Sequence, residues 1–192
     1  FVSAFNGEIP KAEKPWKTSL AASIEDHYAT WLRAVAPKTY AGDFEDYHAS
    51  FWEWWHGTLK ARVNGDDLGE IKLDGLLAMG RGLGKSASME GACVMAGALL
   101  GPILIVYVSS TQDKASEHLQ SIRSIIEGSE LSRYYPGLSN PRVGIFGNQR
   151  GWKAEAIFTD SGFAVVCASL EKGIRGLRDE ERRPLIEIFD DI

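Results

Sequence analysis

The chain has 192 residues, of which 44% are hydrophobic and 24% are charged, and its formal net charge is −5. This composition is typical of a globular domain that buries a core, and it excludes a low-complexity chain. The acidic balance also excludes a general basic field, so any contact with nucleic acid must be local. No apolar run reaches the ~20 residues of a membrane span, and no signal peptide is recognisable. The two cysteines, Cys93 and Cys167, lack metal-type spacing, which predicts buried thiols in a reducing cytoplasm.

The first third of the chain predicts an extended arm followed by two amphipathic helices. Residues 1–17 contain Pro10 and Pro15 and show no periodicity. Apolar residues then recur every three or four positions over 18–35, before Pro37, and again over 43–59, which predicts one buried face on each helix. These positions are Leu20, Ile24, Tyr28, Trp31, Leu32 and Val35, then Phe44, Tyr47, Phe51, Trp52, Trp55 and Leu59.

The second helix is unusually aromatic at residues 51–55. Aromatic rings at helical spacing are more often core, and we favour that interpretation over base stacking. An edge ring such as Trp54 or His56 remains a candidate for lining an adenine pocket. A polar turn is predicted over 62–70.

A glycine loop, residues 79–84, separates an apolar strand predicted over 73–78 from a helix that begins near Lys85. Backbone N–H groups of such a loop and the positive end of the helix converge on phosphate oxygens. The predicted binding residues are Gly80, Arg81, Gly82, Leu83, Gly84, Lys85 and Ser86. Lys85 would reach the β- and γ-phosphates, and Ser86 would ligate Mg²⁺. Met79 stands where the usual pattern has glycine, and the alternative is a simple turn between strand and helix.

The middle of the chain alternates strands and helices. The run 103–109 is apolar throughout, which predicts a central parallel strand, and the polar residues 109–113 predict a cap for a helix over 114–126. An irregular stretch is predicted over 129–149. Two strands, 155–159 and 163–168, follow, joined by a hairpin turn. This order predicts βαβ units and a mostly parallel central sheet flanked by helices.

The last strand, predicted over 184–192, contains two acids near its end. Asp190 fits the second protein ligand of a Mg²⁺ ion held by Ser86, and Asp191 fits a catalytic base that orients or deprotonates water. The alternative is a pair of solvated acids. Many enzymes of this type have glutamate at the second position, so the shorter Asp191 has less reach.

Four motifs in this order resemble the large terminase subunit of tailed bacteriophages, the ATP-driven motor that packages DNA into a procapsid. They are residues 79–86, 105–115, 173–178 and 183–192. The resemblance implies a P-loop NTPase of the RecA-like, ASCE type, preceded by a helical lead-in. It divides the chain into a lead-in at 1–66 and an ATPase core at 67–192 that is incomplete at its C-terminus, with the coupling motif and nuclease domain missing.

The resemblance also implies ATP and Mg²⁺ as cofactors and assigns roles to arginines. Arg81 would stabilise charge on the γ-phosphate or lock the loop; the alternative is a surface arginine. Arg175, with Arg178 as second choice, would act in trans on ATP of a neighbouring subunit; surface pairing with nearby acids is an equal alternative. The implied partners are double-stranded DNA, further copies in a ring, the portal protein and the small terminase subunit. The implied location is the cytoplasm of the bacterial host, with transient docking on the procapsid and no membrane.

Two other functions remain open. A helicase-like ATPase would share the glycine loop, the acids and the sheet. A nucleotide-gated assembly module would bind ATP with little turnover, which suits the departures at Met79 and Asp191. Small-molecule kinases fit less well.

Overall fold

The computed structural model describes residues 2–4, 15–66, 74–75, 77–143, 151–170 and 182–191. It has an α/β architecture in which helices flank an open mixed sheet. In the described parts of the chain, no helix combines the length and hydropathy needed to cross a membrane.

The predicted helix over 18–35 is wrong in its first half. A short 3-10 helix, Ser19–Ser23, is followed by a turn, and α1 is Tyr28–Val35. The break has a tertiary cause. Glu25 is buried between the Lys17 ammonium, 3.0 Å away, and the Tyr135 hydroxyl, 3.0 Å away. The chain then becomes extended at His27, whose Nδ1 accepts a hydrogen bond from the Ala29 amide.

The second helix, α2, is Asp46–Asn64, so it begins three residues later and ends five residues later than predicted. It ends at Gly65, whose φ of 74° is easily adopted only by glycine. Trp52 and Trp55 are fully buried in the core. The preference for core over base stacking is therefore confirmed for these two rings.

Of the described residues in the strand predicted over 73–78, only two form a strand. Here β2 is Asp74–Gly75, and residues 77–80 have no regular secondary structure; residues 73 and 76 lie outside the described part of the chain. Helix α3, Lys85–Leu100, begins where it was predicted. From Met89 onward nearly every residue of α3 is buried, and the helix packs against α2.

The centre of the sheet agrees with the sequence. Strand β3 is Leu104–Ser109, buried throughout, and it pairs in parallel with β5, Ala164–Ser169, and β6, Ile186–Phe189. Ile105 and Tyr107 face the main core, whereas Val106 and Val108 pack on the opposite face. Helix α4, Gln112–Ile126, follows β3, and the Thr111 side chain accepts a hydrogen bond from the Lys114 amide.

Two predictions for the rest of the chain need correction. The stretch over 129–149 is helical in part, with α5 at Ser129–Tyr134 and α6 at Pro136–Ser139; residues 144–150 lie outside the described part. The sheet is mixed rather than mostly parallel. Strand β4, Ala156–Phe158, forms the predicted hairpin with β5, and β1, Val2–Ala4, pairs antiparallel with both β2 and β6. The strand order is β2-β1-β6-β3-β5-β4.

Candidate functional site

The glycine loop has a backbone conformation that depends on its glycines. Gly82 has a φ of 81° and Gly84 a φ of 79°. Gly84 also occupies the N-cap of α3, and no side chain caps the first turn of that helix. Because the first amides of a helix have no partner within the helix, they remain able to bind an anion at this end.

Lys85 joins the glycine loop to the end of β6. Its ammonium lies 3.1 Å from Asp190 Oδ1 and donates a hydrogen bond to Asp191 Oδ1. That contact with Asp191, followed by those with Asp190, holds the pKa of Lys85 above its ordinary value. The same contact holds the pKa of Asp191 below its ordinary value. The predicted lysine and the two predicted acids are therefore in one place, although they lie far apart in the sequence.

The two acids differ in their surroundings. The Asp190 side chain is 1% exposed, and that of Asp191 is 49% exposed. Asp191 has a φ of 52°, a left-handed conformation that is uncommon for a residue other than glycine. Strained residues of this kind are concentrated at functional sites. Asp190 is therefore a buried carboxylate, and Asp191 is a solvent-accessible carboxylate next to it.

Asp190 contacts two side chains that sequence reasoning did not assign to the site, and a third side chain contacts one of those two. Its Oδ2 accepts a hydrogen bond of 3.0 Å from the Tyr107 hydroxyl and lies 3.7 Å from His118 Nε2. Glu90 Oε1 lies 2.8 Å from the other ring nitrogen, Nδ1. The contact with Glu90 holds the pKa of His118 above its ordinary value. Burial and then Asp190 raise the pKa of the Tyr107 phenol, which therefore stays a hydrogen-bond donor. Of these three residues, only Tyr107 was located by the sequence analysis, which predicted it to lie on a central strand.

Asp190 and Ser86 carry oxygen donors of the kind that Mg²⁺ prefers. Asp190 Oδ1 is buried and accepts no hydrogen bond of standard geometry, and Lys85 is its ion-pair partner. Ser86, the second residue of α3, is half-buried beside this lysine. The described residues contain no cluster of three or more His, Cys, Asp or Glu side chains able to hold a metal. Mg²⁺ bound with nucleotide needs only one or two protein ligands, because phosphates and water supply the rest.

A cleft with a volume of about 180 Å³ opens next to the glycine loop, between residues 39–48 and the start of α3. Its lining residues are Thr39, Tyr40, Gly42, Asp43, Phe44, His48, Trp52, Leu83, Gly84, Ala87 and Ser88. The Tyr40 and Phe44 rings are stacked with centroids 6.1 Å apart. His48 Nε2 lies 2.8 Å from the carbonyl oxygen of Leu83 and so contacts the loop directly.

The residues proposed from the sequence for such a cleft are elsewhere. The Trp54 ring packs against Gly75, and His56 is buried with Nε2 2.9 Å from the Glu25 carbonyl oxygen. Neither lines the cleft. The cleft is lined instead by Tyr40 and Phe44, which lie before α2; Phe44 was predicted to be on a helix face, and Tyr40 was not singled out from the sequence.

Of the three predicted arginines, only Arg81 lies in the described part of the chain, and it does not join the contacts around Lys85. Arg81 is exposed on the glycine loop. Arg175 and Arg178 lie outside the described residues, so the structure does not test their predicted role.

Comparison with known proteins gave no family model, no curated protein and no solved structure that matches the chain.

Proposed function

We propose that this chain binds Mg·ATP at the glycine loop and hydrolyses it, on a RecA-like P-loop fold. The observation that carries the proposal is the contact of Lys85 with Asp190 and Asp191. A lysine at a helix N-terminus, following two glycines with positive φ and facing strand-end acids, is the arrangement that phosphoryl transfer requires.

Each binding residue has a role that follows from its position. The amides of the loop and of the first turn of α3 would donate hydrogen bonds to the phosphates, and Lys85 would move from the acids to the terminal phosphates. Ser86 and Asp190 would hold Mg²⁺, which neutralises charge on the phosphate oxygens. The cleft beside Tyr40 and Phe44 adjoins the loop, so it would receive the base of the nucleotide.

Asp191 is suited to orienting the attacking water. Its pKa is lowered by Lys85, so it accepts a proton poorly while that contact exists, and its basicity would recover once Lys85 turns to the phosphates. Water oxygen would form a bond to the γ-phosphorus, and the bond to the β–γ bridging oxygen would break. The products are ADP and inorganic phosphate. Arg81, exposed on the loop, would stabilise the charge that develops on the γ-phosphate.

At the level of the whole protein, we propose the ATPase motor of a phage terminase. The support is the order of the four sequence motifs together with the convergence of two of them at Lys85. Such a motor would act as a ring of copies on double-stranded DNA, with the portal protein and small terminase subunit as partners, in the bacterial cytoplasm and on the procapsid. Arg175 or Arg178 would then complete a neighbouring subunit's site.

One observation favours a second candidate, a nucleotide-gated assembly module with little turnover. Lys85 is engaged by both acids. If these ion pairs persisted with nucleotide bound, Asp191 would stay a weak base and hydrolysis would be slow.

The test measures binding of a fluorescent ATP analogue and steady-state ATP hydrolysis by the full chain. We expect Lys85→Ala and Asp190→Asn each to reduce turnover by at least about 100-fold. Lys60→Ala, which removes a surface lysine paired with Asp26 3.9 Å away, is the matched control and should behave as wild type. Normal turnover in Lys85→Ala would refute the site, and tight binding without turnover in wild type would select the gated module.

A further inference from the structure

Side chains from three elements form a buried network around the carboxylate of Asp190. Tyr107 comes from β3, His118 from α4 and Glu90 from α3. Tyr107 is fully buried and its ring lies beside that of His118, with centroids 5.1 Å apart. The side chains of His118 and Glu90 are only 15% and 13% exposed. A network this enclosed fixes the orientation of the group that it contacts.

The network treats the two carboxylate oxygens of Asp190 differently. Oδ2 accepts the hydrogen bond from Tyr107 and faces His118 Nε2. Oδ1 accepts no hydrogen bond of standard geometry from the described residues, and the Lys85 ammonium lies 3.1 Å from it. Turning the carboxylate plane away from this orientation would break the hydrogen bond from Tyr107, so that bond opposes such a rotation.

We propose that Tyr107, and His118 held by Glu90, are positioning residues that keep Asp190 Oδ1 directed at the metal and phosphate side of the site. This inference rests on the proposed function, because it assigns a purpose to the orientation of Asp190. Glu90 lies on the helix that begins at the glycine loop, so the same network ties that helix to the acid. Mutation of a residue that hydrogen-bonds to a metal ligand typically lowers the metal affinity 10- to 100-fold.

The test compares Tyr107→Phe with Tyr135→Phe. Both tyrosines are buried and each donates one 3.0 Å hydrogen bond to a carboxylate, but Tyr135 contacts Glu25, away from the site. Both substitutions remove a single oxygen and keep the ring, but Tyr135→Phe also removes the acceptor of the 2.9 Å hydrogen bond from Trp31 Nε1, so it should lower thermal stability at least as much as Tyr107→Phe. If only Tyr107→Phe changes the site, the change comes from the lost contact with Asp190 and not from reduced stability.

The first measurement uses the protein without metal or nucleotide. The carboxyl ¹³C resonance of Asp190 should shift in Tyr107→Phe and in Glu90→Gln, and should stay at its wild-type position in Tyr135→Phe. An unchanged Asp190 resonance in Tyr107→Phe would overturn the inference, whether or not the protein binds nucleotide.

The second measurement titrates Mg²⁺ against binding of a fluorescent ATP analogue. Tyr107→Phe should need about tenfold more Mg²⁺ for half-maximal binding, with metal-free binding of the analogue unchanged, whereas Tyr135→Phe should match wild type. Equal Mg²⁺ dependence in the two variants would overturn the inference. Absence of binding in wild type would instead refute the proposed function and leave the ¹³C result to decide on positioning.

Discussion

Gly82 offers a test of the glycine loop at the scale of a single residue. A Cβ built at Gly82 would have no atom within 4 Å, but its φ is 81°. The cost of Gly82→Ala therefore comes from the backbone alone, and we expect the free energy of unfolding to fall by about 1 kcal/mol. Gly57, inside α2, also has open space, and Gly57→Ala should raise stability by about 0.5–1 kcal/mol. Urea unfolding measures both, and equal effects would contradict the left-handed loop.

His118 gives a prediction of pH dependence. Its pKa is raised in the folded state, chiefly by Glu90, above the ordinary 6.5. Folded protein then binds more protons than unfolded protein above pH 6.5, so this contribution to stability is complete below that pH and is lost as pH rises through the folded pKa. Glu90→Gln should lower the pKa of His118 and flatten this fall.

The measurement is an NMR titration of the His118 ring together with urea unfolding at several pH values. His56 serves as an internal contrast, because burial lowers its pKa and its contribution to stability therefore rises with pH. A His118 pKa at or below 6.5 in wild type would contradict the network around Asp190.

Trp16 carries a prediction about the packing of helices. Its indole N–H donates a 2.8 Å hydrogen bond to the Ala98 carbonyl near the end of α3, and its ring lies against Gly101. Its own carbonyl accepts from the Gly137 amide in α6. We expect Trp16→Ala to reduce the free energy of unfolding by about 2 kcal/mol, and Trp16→Phe, which loses mainly the N–H donor, by about 1 kcal/mol. A change under 0.5 kcal/mol in Trp16→Ala would show that this contact is unimportant.

The elements that the sequence predicted well are those whose causes are local. Strand β3 is a continuous apolar run, α4 has its cap at Thr111, and the turn before β5 contains Gly162 with a φ of 87°. Lys85 begins α3 because a glycine loop precedes it. In each case residues close in the sequence determine where the element begins or ends. These elements could therefore be predicted without knowledge of the tertiary structure.

The elements that were missed depend on distant contacts. Glu25 interrupts the first helix because it meets Lys17 and Tyr135, and no local pattern records that meeting. Likewise, Glu90 and His118 acquire a relation to Asp190 only when α3, α4 and β6 have packed together. The candidate site was therefore predictable in its lysine and acids but not in the residues that hold them.

Strand β1 carries a prediction about the whole sheet. Ser3 pairs with Asp74 on one side and Glu187 on the other, so β1 links the strand before the glycine loop to the strand before the acids. Proline at this position removes an N–H group and disfavours pairing. Ser3→Pro should lower Tm by roughly 4 °C or more and weaken binding of the ATP analogue, whereas Ser3→Ala should change little. Wild-type Tm and binding in Ser3→Pro would show that β1 is dispensable.

The position of β1 also has a consequence for the order of folding. The pairing of Val2 with Ile188 joins residues that are synthesised at very different times. Contacts of such large sequence separation form slowly, because the loop between them must be closed first. Helices α2, α3 and α4 can pack on one another before β6 leaves the ribosome, whereas the acids reach Lys85 only afterwards. A nascent chain would therefore acquire its helices early and its capacity to bind nucleotide last.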